Sequence, residues 1–576
     1  MTKPVVRQRV KRPKTRTGCR TCRGYMPHLV KAATLTCASS PPAELVTLNV
    51  MNNDHRAPIV GKRTDEVTKQ MIRRNPRMTA MAFTSRERMA FDFFRLQSIY
   101  QLPGGSSKLL WERLALEMAQ REPAIKHAVV ALGSIHRALT ADLSSPTSDH
   151  KGIDQEQYQF ALAQSTMAMS KLRLYIGSKD MLSHKDTHTE IILVLSLLMF
   201  GFEAFHGQND RVAVHLRTGI RILYDRLRQQ QENHDSEKRV VIMRATALSN
   251  MDVLTQTFVR LDADMGIADN SESYLHPVCS GPVPSSFFTL EEANAHLDAL
   301  AARIDDIANE LTEVAGDALA EDMNLDELDP ASCECLCTAA SRTTDLSSYP
   351  DLITAMELLR NDMKLWMSAF ANIAVTPTNE MEHLLTRIFC FHTWFTIETL
   401  RDESETEVDR FHDQFAYILT LIETYCAQSQ TDSTFSSFTN PHETNRTPPA
   451  FSLGTGLVSC LCLVIAKSRS STLRNRAIKL LQTINLTGFY NRTELVGYMQ
   501  ALIDVEESHA ATLTGKEKNL GFECSEIPEE ARIFSVEMVL VGKDDEQFTN
   551  GEAAGFVYAM RDFEDDEKFT LGTCRL

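Results

Sequence analysis

The sequence contains no apolar stretch of the length and composition that a membrane-spanning helix needs. The longest apolar runs are Ile191–Phe205, which Glu203 interrupts, and Gly456–Ala466, whereas a membrane helix takes about 20 apolar residues. The first residues, Met1–Arg7, form no apolar leader. We therefore predict no membrane partner and no secretory signal, and we assign both runs to buried core helices.

Familiar catalytic motifs are also missing from the sequence. It contains no H-E-x-x-H, no G-x-S-x-G and no phosphate-binding glycine loop, and no pair of carboxylates stands in an obvious catalytic context. The 13 cysteines follow no regular spacing, which favours free thiols in a reducing compartment over a disulfide framework. The expectation is a protein that is not an enzyme.

Acidic residues are absent from residues 1–43, which carry ten Lys or Arg. The remainder of the chain holds 50 bases against 76 acids. A basic arm on an acidic body suits a polyanion at one end, such as nucleic acid, while the body would repel phosphate. The alternative interpretation of such an arm is a solvated tail or a localisation signal.

Within this arm, Cys19 and Cys22 stand in C-x2-C spacing after a run of bases, so that two thiolates from one turn can reach a single zinc ion. Residues 14–23 resemble the opening of the fungal binuclear zinc-cluster family, in which six cysteines share two zinc ions. The match ends after Arg23, because Leu29 stands where the third cysteine belongs and Cys37 comes too late.

The resemblance implies that zinc is the cofactor, with Cys19 and Cys22 as ligands, and that four of the six family ligands are missing. It also implies DNA contacts through the bases of the arm. Their positive charge alone gives salt-sensitive attraction to phosphate without sequence preference. The residues concerned are Lys11, Arg12, Lys14, Arg16, Arg20 and Arg23.

Two explanations of the broken motif remain open. In the first, the translated sequence joins the wrong coding segments after Arg23, and the authentic protein carries a complete cluster. In the second, the chain is genuine and its arm supplies only phosphate attraction. We favour the first, because the motif is intact up to a sharp boundary and then disappears.

The body of the chain shows helical periodicity over most of its length. Apolar residues follow three-and-four spacing after Pro123, again in residues 411–422 and again in residues 473–484. Residues 87–95, 102–105, 110–136, 161–174, 193–223 and 474–481 resemble the helical regulatory region of fungal zinc-cluster transcription factors. The predicted fold class is therefore mainly α, with a large helical body.

These patterns divide the chain into four parts. We predict a basic arm with a partial zinc-cluster motif at 1–37, a disordered linker at 38–84, an all-helical domain at 85–525 and an acidic segment at 526–576. Mobile loops are expected near 328–350 and 428–450. Alternation around residues 534–540 and 555–563 predicts a small β-hairpin, and residues 38–84 lack the heptads of a dimerising coiled coil.

Several residues of the body have both a structural and a functional interpretation. We favour a core role for Trp111, and helix-face roles for His127 and His136 over metal binding. The run from Cys333 to Cys337 has the pattern C-x-C-x-C, which soft metals can use. We favour a structural role there too, because no histidine lies nearby and the segment reads as a Ser/Thr-rich loop.

The main functional hypothesis is a nuclear fungal transcription regulator that binds DNA through a zinc cluster, where the complete motif exists. Its helical body would contact the transcription machinery or co-regulator proteins, with room for a small-molecule effector. Acid–aromatic stretches at 544–548 and 562–569 are typical of activation segments or of a solvated hairpin edge. The alternative is a helical interaction adaptor that has lost DNA recognition.

Overall fold

A computed structural model provides the structure of the chain. It describes residues 83–99, 108–142, 154–177, 185–207, 209–229, 239–269, 273–377, 379–431, 451–452, 456–486, 492–540, 554–561 and 569–575. The predicted arm at 1–37 and nearly all of the predicted linker at 38–84 lie outside these ranges.

The first part of the body consists of helices with one pair of short strands. Two π-helical turns, Phe94–Ser98 and Leu109–Leu114, follow α1 and precede α2. The elements are α1 Ser85–Phe93, α2 Ala115–Ala119, α3 Pro123–Asp142, α4 Gln155–Ile176, α5 Lys185–His206, α6 Asn209–Arg228, β1 Val240–Met243, α7 Asn250–Asp269, β2 His276–Cys279 and α8 Leu290–Asp322.

The second part of the body adds seven helices, a further strand pair and a terminal sheet. Its elements are α9 Pro330–Ala340, α10 Pro350–Phe370, α11 Glu380–Glu398, α12 His412–Thr431, β3 Phe451–Ser452, α13 Gly456–Lys467, α14 Ser471–Thr483, β4 Asn485–Leu486, α15 Arg492–Thr514, β5 Ile533–Leu540, β6 Ala554–Arg561 and β7 Phe569–Arg575. This arrangement confirms the predicted mainly α fold with a small C-terminal β element.

Helix α3 is the centre of the N-terminal part. Pro123 occupies its first turn, where the missing N–H would have had no helical partner, as the sequence predicted. From Ala124 to His136 every residue is buried. Neighbouring elements therefore cover the helix on all sides, and not only along the one apolar face that the spacing predicted. Helices α1, α4 and α5 pack around it.

Helix α1 begins with a capping box and packs closely on α3. The Thr84 hydroxyl accepts the Glu87 N–H at 3.2 Å, and the Glu87 carboxylate accepts the Thr84 N–H at 2.8 Å. Gly133 lies at the crossing of the two helices. A Cβ at this position would lie 2.3 Å from the Ala90 carbonyl oxygen, so the backbones approach more closely than any side chain would permit.

The long helix α8 joins the two parts of the body. Its 33 residues span about 50 Å at the helical rise, beginning at an N-cap in which Thr289 accepts the Glu292 N–H. It contacts α7 and β2 on the N-terminal side, and α9, α10 and α11 on the C-terminal side. The indole of Trp366 on α10 donates to the Ala293 carbonyl at 2.8 Å, which fixes that contact.

The C-terminal sheet extends the predicted hairpin by one strand. Strands β5, β6 and β7 are antiparallel in that order, and the sheet covers α9. Tyr498 of α15 meets Phe556 edge to face at 5.2 Å. The acid–aromatic stretches fall on the connections 541–553 and 562–568, which lie outside the described residues except for Phe569, the first residue of β7.

The structure corrects several expectations. Residues 328–350 are not one mobile loop, because Asp329 caps helix α9 and its residues from Cys335 onward are buried. The domain at 85–525 is not all-helical, since β1–β2 and β3–β4 form two short parallel pairs. The expected loop at 428–450 begins only after Thr431 and otherwise lies outside the described residues.

Contrary to the expectation from the sequence, one helix of the described part of the chain is long and apolar enough, by length and composition, to cross a membrane. It covers Thr187–His206, and 83% of its most apolar window is buried within the fold. Its apolar side chains therefore contact protein, as expected of a core helix. Helix α13, the second long apolar run, is buried throughout from Leu457 to Lys467.

Candidate functional site

The residues predicted to bind zinc and DNA precede the first described residue. The zinc ligands Cys19 and Cys22 and the DNA-contacting bases therefore remain predictions on which the structure places no atoms. The bases are Lys11, Arg12, Lys14, Arg16, Arg20 and Arg23.

The C-x-C-x-C run lies on helix α9, where Cys335 points away from Cys333 and Cys337, which are one turn apart. Successive members are two residues apart, or about 200° around a helix. The Cys335 thiol lies 3.0 Å from the Ser535 hydroxyl of β5, and burial raises its pKa to about 12. Within the described residues no group of three or more His, Cys, Asp or Glu side chains could hold a metal ion.

The highlighted aromatic residues have structural roles. Trp111 is buried in the core, as predicted. The His136 imidazole lies 2.8 Å from the Ser98 hydroxyl and stacks on Phe205, and burial lowers its pKa to about 3. His127 shares a 2.6 Å hydrogen bond with the Gln164 side chain. Both histidines connect α3 to its neighbours.

The largest polar arrangement in the described body is a buried ion network, which the sequence did not reveal. Its first centre is Glu405, in the 3-10 turn before α12. The carboxylate lies 2.7 Å from Arg342, 2.5 Å from Lys467 and 2.5 Å from Arg469. All four side chains are at most 1% exposed, so three cations from two separate segments converge on one carboxylate.

The second centre of the network is Glu506 on α15. Its carboxylate pairs with Arg469 at 2.9 Å and with Arg474. It also accepts the backbone N–H of Ile533 at 2.7 Å. Arg469 thus bridges the two centres, and Glu506 joins the start of the C-terminal sheet to the helical body.

Arg532 closes the network on the side of the sheet. Its guanidinium makes two hydrogen bonds of 2.8 Å with Asp409, the bidentate geometry in which arginine binds carboxylates best. It also donates to the carbonyls of Ile527, Cys524 and Glu405. The segment from Cys524 to Arg532, directly before β5, is therefore held to the 3-10 turn before α12.

Arg469 reaches this position through an uncommon backbone conformation. Its φ is +48°, and no other described non-glycine residue has a positive φ. A left-handed conformation costs roughly 1–2 kcal/mol for a residue with a Cβ. The pairing of this guanidinium with Glu405 and Glu506 offsets that cost.

The electrostatics of the network are those of a structural clamp. Burial alone would raise the pKa of Glu405, but Arg469, Lys467 and Arg342 outweigh it and hold that pKa well below its usual range. Burial and the neighbouring guanidiniums lower the pKa of Lys467 to about 7, against the attraction of Glu405. Because these groups are enclosed and paired, they position elements and have no access to a solvent-borne substrate.

A surface cavity of about 280 Å³ lies between α3, α4 and α5. It is lined by Pro123, Ala124, Leu174 and Ile191 together with the polar side chains of Glu122, Lys171 and Tyr175. Burial raises the pKa of Glu122, and nearby His188 partly opposes this rise. The Tyr175 hydroxyl is hydrogen-bonded to the imidazole of His188. An apolar wall with a few polar groups is the usual composition of a small-molecule site.

Sequence reasoning missed the ion network because its members are far apart in the chain. Arg342 precedes Glu405 by 63 positions, and Arg469 precedes Ile533 by 64. The one local signal is Lys467-Ser-Arg-Ser470 at the end of the apolar helix α13. Four consecutive polar residues at such a position usually indicate a solvated loop, whereas here all four are buried.

Comparisons with known proteins found one matching family and one similar protein. Residues 91–343 match the family described as the fungal specific transcription factor domain. The chain is also similar to the aspercryptin biosynthesis cluster-specific transcription regulator atnN of Emericella nidulans, with 27% identity over 215 residues. The alignment covers 36% of this chain and 31% of that relative. No solved structure matches the chain significantly.

Proposed function

We propose that the chain is a fungal transcription regulator that acts in the nucleus, because residues 91–343 match the family described as the fungal specific transcription factor domain. The helical body would serve as the regulatory part and would contact the transcription machinery or co-regulator proteins. The family match over residues 91–343 carries this proposal, and the relative named as a transcription regulator supports it.

The second part of the proposal concerns DNA. Cys19 and Cys22 would contribute thiolates to zinc, and the bases around them would bind phosphate. In the chain as written the four further ligands of the family are absent. We therefore expect elemental analysis of the purified chain to find fewer than two zinc ions per molecule. Two bound zinc ions would contradict the interpretation of the motif as broken.

A binding selection tests the DNA function directly. The full chain and a Cys19→Ser/Cys22→Ser variant would be incubated with a randomised duplex library in the presence of zinc. Enrichment of one sequence by the wild-type chain alone would establish zinc-dependent sequence recognition. Equal retention of all sequences by both proteins would restrict the arm to phosphate attraction. Retention of no duplex at low salt would favour the interaction adaptor.

The origin of the broken motif has its own test. The transcript and the genomic interval would be sequenced across the codons for Arg16 to Phe94. An in-frame segment that restores four cysteines and a base-rich stretch after Arg23 would make the protein a complete zinc-cluster regulator. The sequence as printed would make it a regulator that does not read base edges through such a cluster.

A further inference from the structure

Helix α6 carries a row of arginines on its exposed face. Arg217, Arg221 and Arg228 are all exposed, and at 100° per residue they fall within about 40° of one another around the helix axis. The opposite face enters the core through Val212, Leu216, Ile220 and Leu223. The orientation of the arginine row is therefore fixed by the packing of the helix.

The row is long enough to meet several charges of a polyanion. Arg217 and Arg228 are about 16 Å apart along the axis, at 1.5 Å per residue. A duplex presents roughly ten phosphate charges over that length. Two acids of α6, Asp210 and Asp225, fall on the same face by their helical positions, and Arg211 at the start of the helix lies 3.9 Å from Glu203. The exposed face of α6 keeps a net positive charge.

A fourth arginine joins the row through two tyrosines. The Arg239 guanidinium lies over the Tyr274 ring at 3.9 Å from its centroid. That ring meets Tyr224 of α6 edge to face at 6.0 Å, and Tyr224 borders Arg217 and Arg228 around the helix. The two rings hold the Arg239 guanidinium beside the row, which places a fourth positive charge where it can meet a phosphate.

The acidic character of the rest of the body does not cancel this local charge. At physiological ionic strength the Debye length is about 8 Å, so acids on other faces of a 576-residue chain are largely screened from a ligand seated on α6. We infer that the face formed by Arg217, Arg221, Arg228 and Arg239 binds the phosphate backbone of duplex DNA. This inference rests on the proposed function and adds a second DNA contact, on the folded body.

The test is the salt dependence of binding to a fluorescent 30-base-pair duplex of random sequence. Arg221→Gln/Arg228→Gln removes two charges from the exposed face and leaves the buried face intact. Each lost phosphate contact should make the slope of log K against log salt shallower by about 0.9. We expect the double variant to lose about 1.8 from the slope.

A matched control is Lys364→Gln/Lys479→Gln, which removes two exposed charges from α10 and α14. It should leave the slope unchanged, and all proteins should show the same melting temperature. A second variant with glutamine at Lys11, Arg12, Lys14 and Arg16 measures the contribution of the arm separately. Additive losses in the arm and α6 variants would support two independent DNA contacts.

Three results would overturn the inference. An α6 variant with wild-type slope, alongside an arm variant that loses binding, would refute the α6 contact and leave the proposed function standing. Failure of the wild-type chain to bind duplex at every salt concentration up to physiological ionic strength would refute the α6 contact and the DNA-binding part of the proposed function together. The α6 variant could also lose binding to poly-glutamate while it binds duplex as the wild type does. That result would identify an acidic protein segment as the occupant of this face.

Discussion

The carboxylate of Glu506 accepts the backbone N–H of Ile533 at 2.7 Å, so the first residue of the C-terminal sheet is bound directly to helix α15. The same carboxylate pairs with Arg469 and Arg474. One side chain thus pairs with two buried cations and also accepts the first amide of the edge strand β5.

Glu506→Gln should be strongly destabilising. The substitution keeps the side-chain volume but leaves Arg469 and Arg474 facing a neutral amide, and unpairing a buried charge costs about 3–5 kcal/mol. We expect urea unfolding of the full chain to show a loss of this size. The control Glu494→Gln lies on the exposed face of the same helix and should change stability by less than about 0.5 kcal/mol. Equal effects of the two substitutions would refute the clamp.

Gly133→Ala and Gly497→Ala should change stability in opposite directions. A Cβ on Gly133 meets the Ala90 carbonyl oxygen at 2.3 Å, whereas nothing lies within 4 Å of a Cβ on Gly497. The first substitution forces α1 away from α3 and should cost about 1–3 kcal/mol. The second should stabilise α15 by roughly 0.5–1 kcal/mol. The melting temperatures of the two variants, each compared with the wild type, measure both effects. A higher melting temperature for Gly133→Ala would disprove the close contact.

A chain truncated after residue 525 should not fold stably. It lacks Arg532 and the Ile533 amide, so Asp409 and Glu506 lose partners and the face of α9 under the sheet is exposed. A fragment ending at residue 343 should be less stable still, because Arg342 then lacks its partner Glu405. Limited proteolysis compares these fragments with the full chain. Equal resistance of the 1–525 fragment would contradict this prediction.

Stability should fall as the pH drops below about 6.5, and His136 should account for part of the loss. Its pKa in the folded protein is lowered to about 3 by burial, so the unfolded chain takes up a proton first. Its contribution is complete above about pH 6.5 and decreases by up to about 1.4 kcal/mol per pH unit down to about pH 3.

The measurement is the melting temperature of wild type and His136→Gln at pH 7.5 and pH 5. Glutamine keeps a hydrogen-bonding group for Ser98 and cannot be protonated, so the variant should lose less stability between the two pH values. An equal decrease in both proteins would show that other groups carry the acid sensitivity. His392, whose pKa burial lowers to about 4, is the next candidate.

Local patterns predicted those parts of the fold that local chemistry determines. The helix at Pro123, the helical start at Ser85 and the alternation in residues 534–540 were found because proline, periodicity and strand alternation act over a few residues. Helix α9 was missed for a physical reason. Its segment is rich in Ser, Thr and Cys and is helical because Asp329 caps it and a sheet 200 positions later covers Cys335.

The candidate sites also differ in whether their residues are neighbours in the sequence. The arm was identified by short motifs, whereas the ion network depends on pairs such as Arg342 and Glu405 that share no sequence neighbourhood. The arginine row on α6 was visible in principle, since Arg217, Arg221 and Arg228 follow a helical period. It was overlooked because a charged helix face is usually no more than a solvated surface.

The wide spacing of the ion network has a consequence for protein synthesis. Arg342 leaves the ribosome well before Glu405, and Arg469 and Arg474 emerge before Glu506 and Ile533. Until the last of these residues is translated, the guanidiniums stay hydrated and the C-terminal helices cannot close around them. Chains that leave the ribosome before synthesis is complete should therefore expose α13 to chaperones and proteases. Only nearly full-length chains should escape degradation.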